Sequence, residues 1–368
     1  MSGTAQQQTV STKEARDACK VVSDHADRIY SWQYERSRPQ LVTLYNKAMA
    51  SQWNSVTDLD WATDVDPERL VDLDSPGLQM VRSATREPGS PIANWREREL
   101  VALGVEMLKA NLSQFMHGEQ GAMMVAAKIV ETVPWMDAKY YAATQTMDEA
   151  RHTEVFAKYL DTKIGGAYPM SPFLEDQITA LIEDARWDIA YLGMQIVIES
   201  LALAAFGDML RRTTEPLLKK LLRYVMSDEA RHVAFGVLSL KELYGQLSEA
   251  ELKERQEFLV ENTLLNRSRS TTPEMWERLG VDVDEVVPFL VAAARGMKVS
   301  PFAGFQRGFF AKLVPNVRKL GLLDANDGYL RERWSEAGLL EFEFADDTAT
   351  DYDSYDEVAR DRAALASR

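Results

Sequence analysis

The chain has 368 residues, 46% hydrophobic and 27% charged, with a formal net charge of −15. That is ample apolar material for a large core, while the acidic balance excludes the basic patches a nucleic-acid partner requires and disfavours an anionic membrane surface. A single cysteine, Cys19, rules out an internal disulfide; with no charged-then-apolar export pattern at the N-terminus, a cytoplasmic location is expected.

In chain order, residues 1–12 are polar and read as frayed. Residues 13–36 predict a helix, and 39–54 a second. An irregular stretch spans 53–61, and 86–91 is a turn-rich linker (Arg-Glu-Pro-Gly-Ser-Pro). These make residues 1–93 an N-terminal helical region. A long helical pattern runs over 94–133, Pro134 breaks it, and another helix reaches about residue 163. After a Gly/Pro linker at 165–172, helical pattern resumes from 173. It is interrupted near Ala185 and runs to Arg212. Thr213-Thr214-Glu215-Pro216 is a turn, and a further helix ends near Gly245. Residues 94–246 thus read as a helix bundle and 247–345 as shorter helices, with Ser248 a candidate cap. The tail, 346–368, holds Asp346, Asp347, Asp351, Asp353, Asp356 and Glu357 and is expected to be disordered. Alternating Val/Ile/Thr runs are absent, so the expected class is all-α. The stretch 189–206 is apolar but for Gln195, Glu199 and Ser200; it reads as deep core rather than a membrane span.

Asp-Glu-Ala-Arg-His occurs twice, at 148–152 and 228–232, and each copy has a glutamate thirty positions upstream, Glu119 and Glu199. The unit therefore repeats at an offset of eighty residues. Glu-x-x-His on a helix places a carboxylate and an imidazole on one face. Pro134 lies fifteen residues from both Glu119 and Glu149, and Thr214 fifteen from both Glu199 and Glu229. In an antiparallel helix pair, residues equidistant from the turn sit level, here roughly 22 Å from it. Two such pairs packed together bring Glu119, Glu149, His152, Glu199, Glu229 and His232 into one layer of a four-helix bundle. Four carboxylates and two imidazoles suit a pair of iron or manganese ions better than structural zinc.

Asp148 and Asp228 are expected to take the second N–H of the histidines, possession of which orients an imidazole ligand, with Arg151 and Arg231 balancing charge. Gln145 lies one turn from Glu149. Ala122, Met123, Ala202, Leu203, Phe206 and Val225 are candidates for an apolar substrate lining. His117, His25, Glu106 and Glu131 fall outside the repeat and are not assigned to the site.

With that ligand set, residues 95–245 resemble the ferritin-like diiron-carboxylate oxygenases and oxidases. That group includes bacterial multicomponent monooxygenase hydroxylases, the ribonucleotide reductase small subunit, acyl-carrier desaturases and aminobenzoate N-oxygenases. Gly118-Glu119 followed by small residues, Gln145 before Glu149, and the doubled pentamer look most like the hydroxylases. The resemblance implies a ferritin-like four-helix bundle with additional N- and C-terminal helices. It implies two irons (Fe/Fe, with Mn/Fe as the alternative), dioxygen as co-substrate, and electrons from an external reductase or ferredoxin. It assigns Glu119, Glu149 and His152 to one metal and Glu199, Glu229 and His232 to the other. The implied activity is hydroxylation or N-oxygenation of a small organic substrate. A radical-generating protein like the ribonucleotide reductase small subunit is an alternative, and an iron-storage ferroxidase a further one. Phe156 stands where the reductase radical tyrosine would be, Val225 where N-oxygenases carry an extra histidine, and Leu203 where many hydroxylases have threonine. The large flanking regions suit a monomer or homodimer rather than a storage cage.

Overall fold

The computed structural model describes residues 18–265 and 272–367, and among these residues every regular element is helical. Helix α1 spans Pro39–Ala50 and α2 Pro76–Ala84. The first long pair is α3, Glu97–Thr132, and α4, Met136–Tyr159. Val133 leaves α3 in an extended conformation (φ −70°, ψ 138°), as a residue before proline must, and Pro134 prevents the helix continuing. Helix α5, Pro172–Glu183, is capped by Ser171, whose hydroxyl accepts from Leu174 N. It lies against α3 at Gly121, where a Cβ would come within 2.6 Å of Ile178. The buried Lys128 of α3 donates to the free carbonyls at the end of α5, at Ile182 O (2.5 Å) and Asp184 O (2.6 Å).

The second long pair is α6, Trp187–Arg212, and α7, Pro216–Tyr244. Glu215 begins α7 by accepting from Leu217 N and Leu218 N, with Pro216 at the first helical position. Helix α6 is apolar enough to cross a membrane, yet its apolar window is 78% buried within the molecule; it is a core helix of the bundle. Its middle, Leu192–Ile198, is π-helical. Gly236 of α7 meets it there: a Cβ on Gly236 would lie 2.5 Å from Gln195 Cβ, so the close approach requires glycine.

The remaining helices are α8 (Glu249–Val260), α9 (Pro273–Arg278), α10 (Val283–Gly296), α11 (Ala303–Lys319), α12 (Ala325–Glu336) and α13 (Glu357–Ala366). Ser248 and Glu251 cap α8 reciprocally. One apolar core runs from Leu44 of α1 through Val125, Tyr141, Ile196 and Phe235 to Leu313 and Trp334, so the C-terminal helices share the bundle's interior.

Two expectations fail. The helix predicted over 13–36 is absent from 18–36, which instead form a strap without regular structure; 13–17, and 1–12 with their expected fraying, lie outside the described residues. The strap is held by Ile29 N donating to Glu131 O (2.8 Å) and by ion pairs Asp24–Lys128 (3.0 Å), Arg28–Glu131 (2.8 Å) and Arg36–Asp137 (2.5 Å). Contacts to the bundle override the local helix preference. The acidic tail is not disordered either. It forms Thr348–Asp351, a 3-10 turn and α13, because its aspartates serve as caps and pair with bases. Asp347 caps through Thr350 N and meets Lys319 (2.5 Å); Asp356 caps through Ala359 N; Asp353 meets Lys47 (2.5 Å).

Candidate metal centre

The six repeat residues converge. Glu119 comes from α3, Glu149 and His152 from α4, Glu199 from α6 and Glu229 and His232 from α7, and all are buried. Their oxygen and nitrogen atoms form two overlapping groups. One is Glu119, Glu149, His152 and Glu229; the other is Glu149, Glu199, Glu229 and His232. Glu149 and Glu229 belong to both, which refines the three-and-three division: the two Glu-x-x-His glutamates lie between the positions, and Glu119 and Glu199 at the ends. His152 Nδ1 lies 3.4 Å from Glu119, 3.3 Å from Glu149 and 3.0 Å from Glu229. His232 Nδ1 lies 3.1 Å from Glu149, 3.5 Å from Glu199 and 2.8 Å from Glu229.

Each histidine turns its other nitrogen to the opposite helix pair. His152 Nε2 is 3.0 Å from Asp228, and His232 Nε2 is 3.4 Å from Asp148. Arg151 donates to both Asp148 and Asp228, and Arg231 to Asp228. The buried aspartates and guanidiniums thus form a closed charge-paired layer behind the imidazoles. Two further groups join it that the repeat does not reveal. Gln52 donates to Asp148 (2.9 Å) and accepts from Arg151 (2.8 Å), and Trp53 Nε1 donates to Asp228 (2.8 Å). Both lie in the irregular turn after α1, outside the eighty-residue repeat that marked the rest. An open surface cavity of about 410 Å³ lies outside this layer, lined by Trp53, Ser55, Met147, Arg151 and Glu154.

The electrostatics fit a cationic occupant. Burial and the neighbouring Glu229 raise Glu119 and Glu199 well above the ordinary glutamate range. Burial works against Glu149 and Glu229 too, but His232 and His152 bring both below it. Burial alone would lower the histidines; Glu229 beside His152 and Glu149 beside His232 lift them well above the usual imidazole value. In the metal-free cluster, burial thus favours the protonated form of Glu119 and Glu199, and the neighbouring carboxylates favour protonated rings at His152 and His232. Glu229 Oε1 is buried without a hydrogen bond, although His152 Nδ1 is 3.0 Å away. A buried carboxylate oxygen with so little hydrogen bonding would suit a cation. The donor set has no thiolate, and its oxygens and imidazoles match iron or manganese.

Gln145 is fully buried and donates to Glu149 Oε1 and Glu199 Oε1, both at 3.0 Å. The apolar residues expected to line a pocket fall in different parts of the core. Ala122 packs in the large core, whereas Ala202, Phe206 and Val225 belong to a second cluster around Phe156. Phe115 packs on Phe206 (ring centroids 4.8 Å) and Phe156 (5.8 Å). Leu203 is buried and Met123 half-buried. His117 bonds Tyr168 O, His25 is exposed, Glu106 accepts from the Tyr168 hydroxyl, and Glu131 pairs with Arg28.

No family model matches the chain, and no curated protein does. Solved structures that it resembles include R2-like ligand-binding oxidases. One, a variant with an anaerobically reconstituted Mn/Fe cofactor, is 14% identical, with 78% of this chain and 94% of that chain covered and a TM-score of 0.45. Another, after photoconversion of its aerobically reconstituted cofactor, is 13% identical, covering 85% and 95%, with a TM-score of 0.42. At that level of likeness the site is judged by its own side chains.

Proposed function

We propose that this chain is a dimetal oxygenase. It would hold two redox-active ions (Fe/Fe or Mn/Fe) and use dioxygen to oxidise a small apolar organic substrate by hydroxylation or N-oxygenation. The observation that carries this is the pair of overlapping ligand groups sharing Glu149 and Glu229. Two such ions, held by these residues, would supply the redox chemistry toward dioxygen.

The chain's own residues set the conditions. Glu149 and Glu229 face both positions, and Glu119 and Glu199 close the ends. Asp228 and Asp148 hold the Nε2 protons of His152 and His232, leaving each Nδ1 free to face a cation. Phe115, Phe156 and Phe206 pack ring against ring in the apolar cluster that holds Val225 and would keep water from that side. Insertion of one oxygen atom into a substrate reduces the other to water and consumes two electrons and two protons. An external reductase or ferredoxin would supply the electrons. Phe156 leaves no tyrosine at the position a radical protein needs, so nothing favours that alternative.

The test is metal analysis followed by rapid mixing of the reduced protein with dioxygen. Two ions per chain and a transient absorbance that decays faster with a substrate are expected. A protein that binds fewer than two ions tightly would sink the reading.

A further inference from the structure

The eighty-residue repeat is broken beside the centre, at one pair of positions on each side. Gln145 corresponds to Val225 and Gln195 to Phe115. On the Val225 and Phe115 side the neighbours are apolar, in the cluster with Phe156 and Phe206. On the other side two fully buried amides stand in line. Gln195 Nε2 donates to Gln145 Oε1 at 2.8 Å, and Gln145 Nε2 divides its hydrogens between Glu149 Oε1 and Glu199 Oε1.

An amide presents either donors or an acceptor according to which way it is turned. Gln145 faces two carboxylate oxygens, so its nitrogen must point at them. Turned over, it would set its own oxygen against both. Gln195 engages the oxygen of Gln145 and so opposes that rotation. The order runs from carboxylates to Gln145 to Gln195, and it ends at Gln195 Oε1, which is buried with no partner. Gln195 is held in place independently, because the π-helical turn Leu192–Ile198 carries it onto Gly236, where no larger residue fits. The unpaired oxygen is a cost that a merely structural residue would avoid, since methionine could fill the same space without it.

We propose that Gln195 is a positioning residue that locks Gln145 across Glu149 and Glu199, and so makes the metal position formed with His232 different from the one formed with His152. The inference rests on the dimetal reading above. Its consequence is selective. Gln145 touches Glu199, which belongs only to the His232 group, and Glu149, which belongs to both. Loss of the amide pair should weaken one binding step more than the other.

The experiment is an anaerobic Co(II) titration of metal-free protein, following ligand-field absorption, with apo-protein melting as a fold control. For Gln195→Met the expected result is one tight step retained, the other weakened about 10- to 100-fold, and its cobalt spectrum shifted. Gln145→Met should do the same, and the double variant should be no worse than either single, since the two amides act as one chain. Gln195→Asn keeps an amide one methylene too short and serves where the methionine variant does not fold. Equal weakening of both steps, unchanged binding, or additive losses would overturn the proposal. Wild-type protein that binds fewer than two cobalt ions would overturn the dimetal reading itself; two wild-type ions with an unaffected variant would overturn only the role of Gln195.

Discussion

His152 reaches across the bundle to Asp228, Nε2 to Oδ2 at 3.0 Å, so that the histidine of the first helix pair is oriented by the aspartate of the second. The reciprocal contact, His232 to Asp148, is 3.4 Å. Asp228 also receives Trp53, Arg151 and Arg231. Asp228→Asn should therefore lower metal affinity about 10- to 100-fold through His152. It should also destabilise the metal-free fold by about 3–5 kcal/mol, because buried guanidiniums lose their counter-charge. Metal content after dialysis and chemical denaturation measure the two effects separately.

Shared and terminal carboxylates should behave differently on removal. Glu149→Ala takes a ligand from both positions and is expected to abolish tight binding of both ions. Glu119→Ala takes one from the His152 position only and should leave about one ion per chain. Elemental analysis decides, and equal losses in the two variants would contradict the shared-ligand geometry.

Metal binding should release protons. Glu119 and Glu199 are raised by burial, and His152 and His232 are raised by their carboxylate neighbours against it, so the metal-free protein favours the protonated form at all four sites. Ligation needs them deprotonated. Affinity should then rise with pH, and up to four protons should appear in solution for two ions bound. Calorimetry in buffers of different ionisation enthalpy counts them; no release would mean the cluster is ionised beforehand.

Gly236→Ala would push a methyl against Gln195 Cβ, where the ideal separation is only 2.5 Å. The expected cost is about 1–3 kcal/mol of stability, typical of overpacking. The same substitution at Gly118, where a Cβ meets nothing within 4 Å, should be tolerated. Denaturation midpoints of the two variants provide the comparison.

The C-terminal segment should govern the turn that carries Gln52 and Trp53. Arg362 donates to Ala50 O and Gln52 O, and Ser51 donates to Asp356 (2.7 Å). Deleting residues 347–368 is expected to speed amide exchange over residues 50–56 severalfold while leaving α4 and α7 protected. Exchange by mass spectrometry, peptide by peptide, would show it.

The clustering of the four glutamates and two histidines, with the aspartates behind them, was legible because they repeat, and because equal spacing from Pro134 and Thr214 sets their depth. The four long helices were legible from periodicity and from prolines and caps at their ends. Residues 18–36 were not, because what straightens them is a set of ion pairs with α3, α4 and α5, remote in sequence. The tail was misread for a related reason. Its acidity signals disorder only while the lysines and helix ends it meets are unknown. Gln195 carried a weak signal, as a polar residue in an apolar run; its partner Gln145, fifty residues away, could not be paired with it by spacing.

The reciprocal histidine–aspartate contacts also bear on the order in which the protein can be made. When residue 152 leaves the ribosome, the aspartate that will orient its ring lies seventy-six positions downstream. At bacterial or eukaryotic elongation speeds that is a wait of roughly 4–15 s. During it the first hairpin holds acidic side chains and a guanidinium with half their counterparts unmade. A nascent chain should therefore leave its first hairpin loosely packed until translation has passed the second pentamer, and expression of either half alone should yield an insoluble or unfolded product.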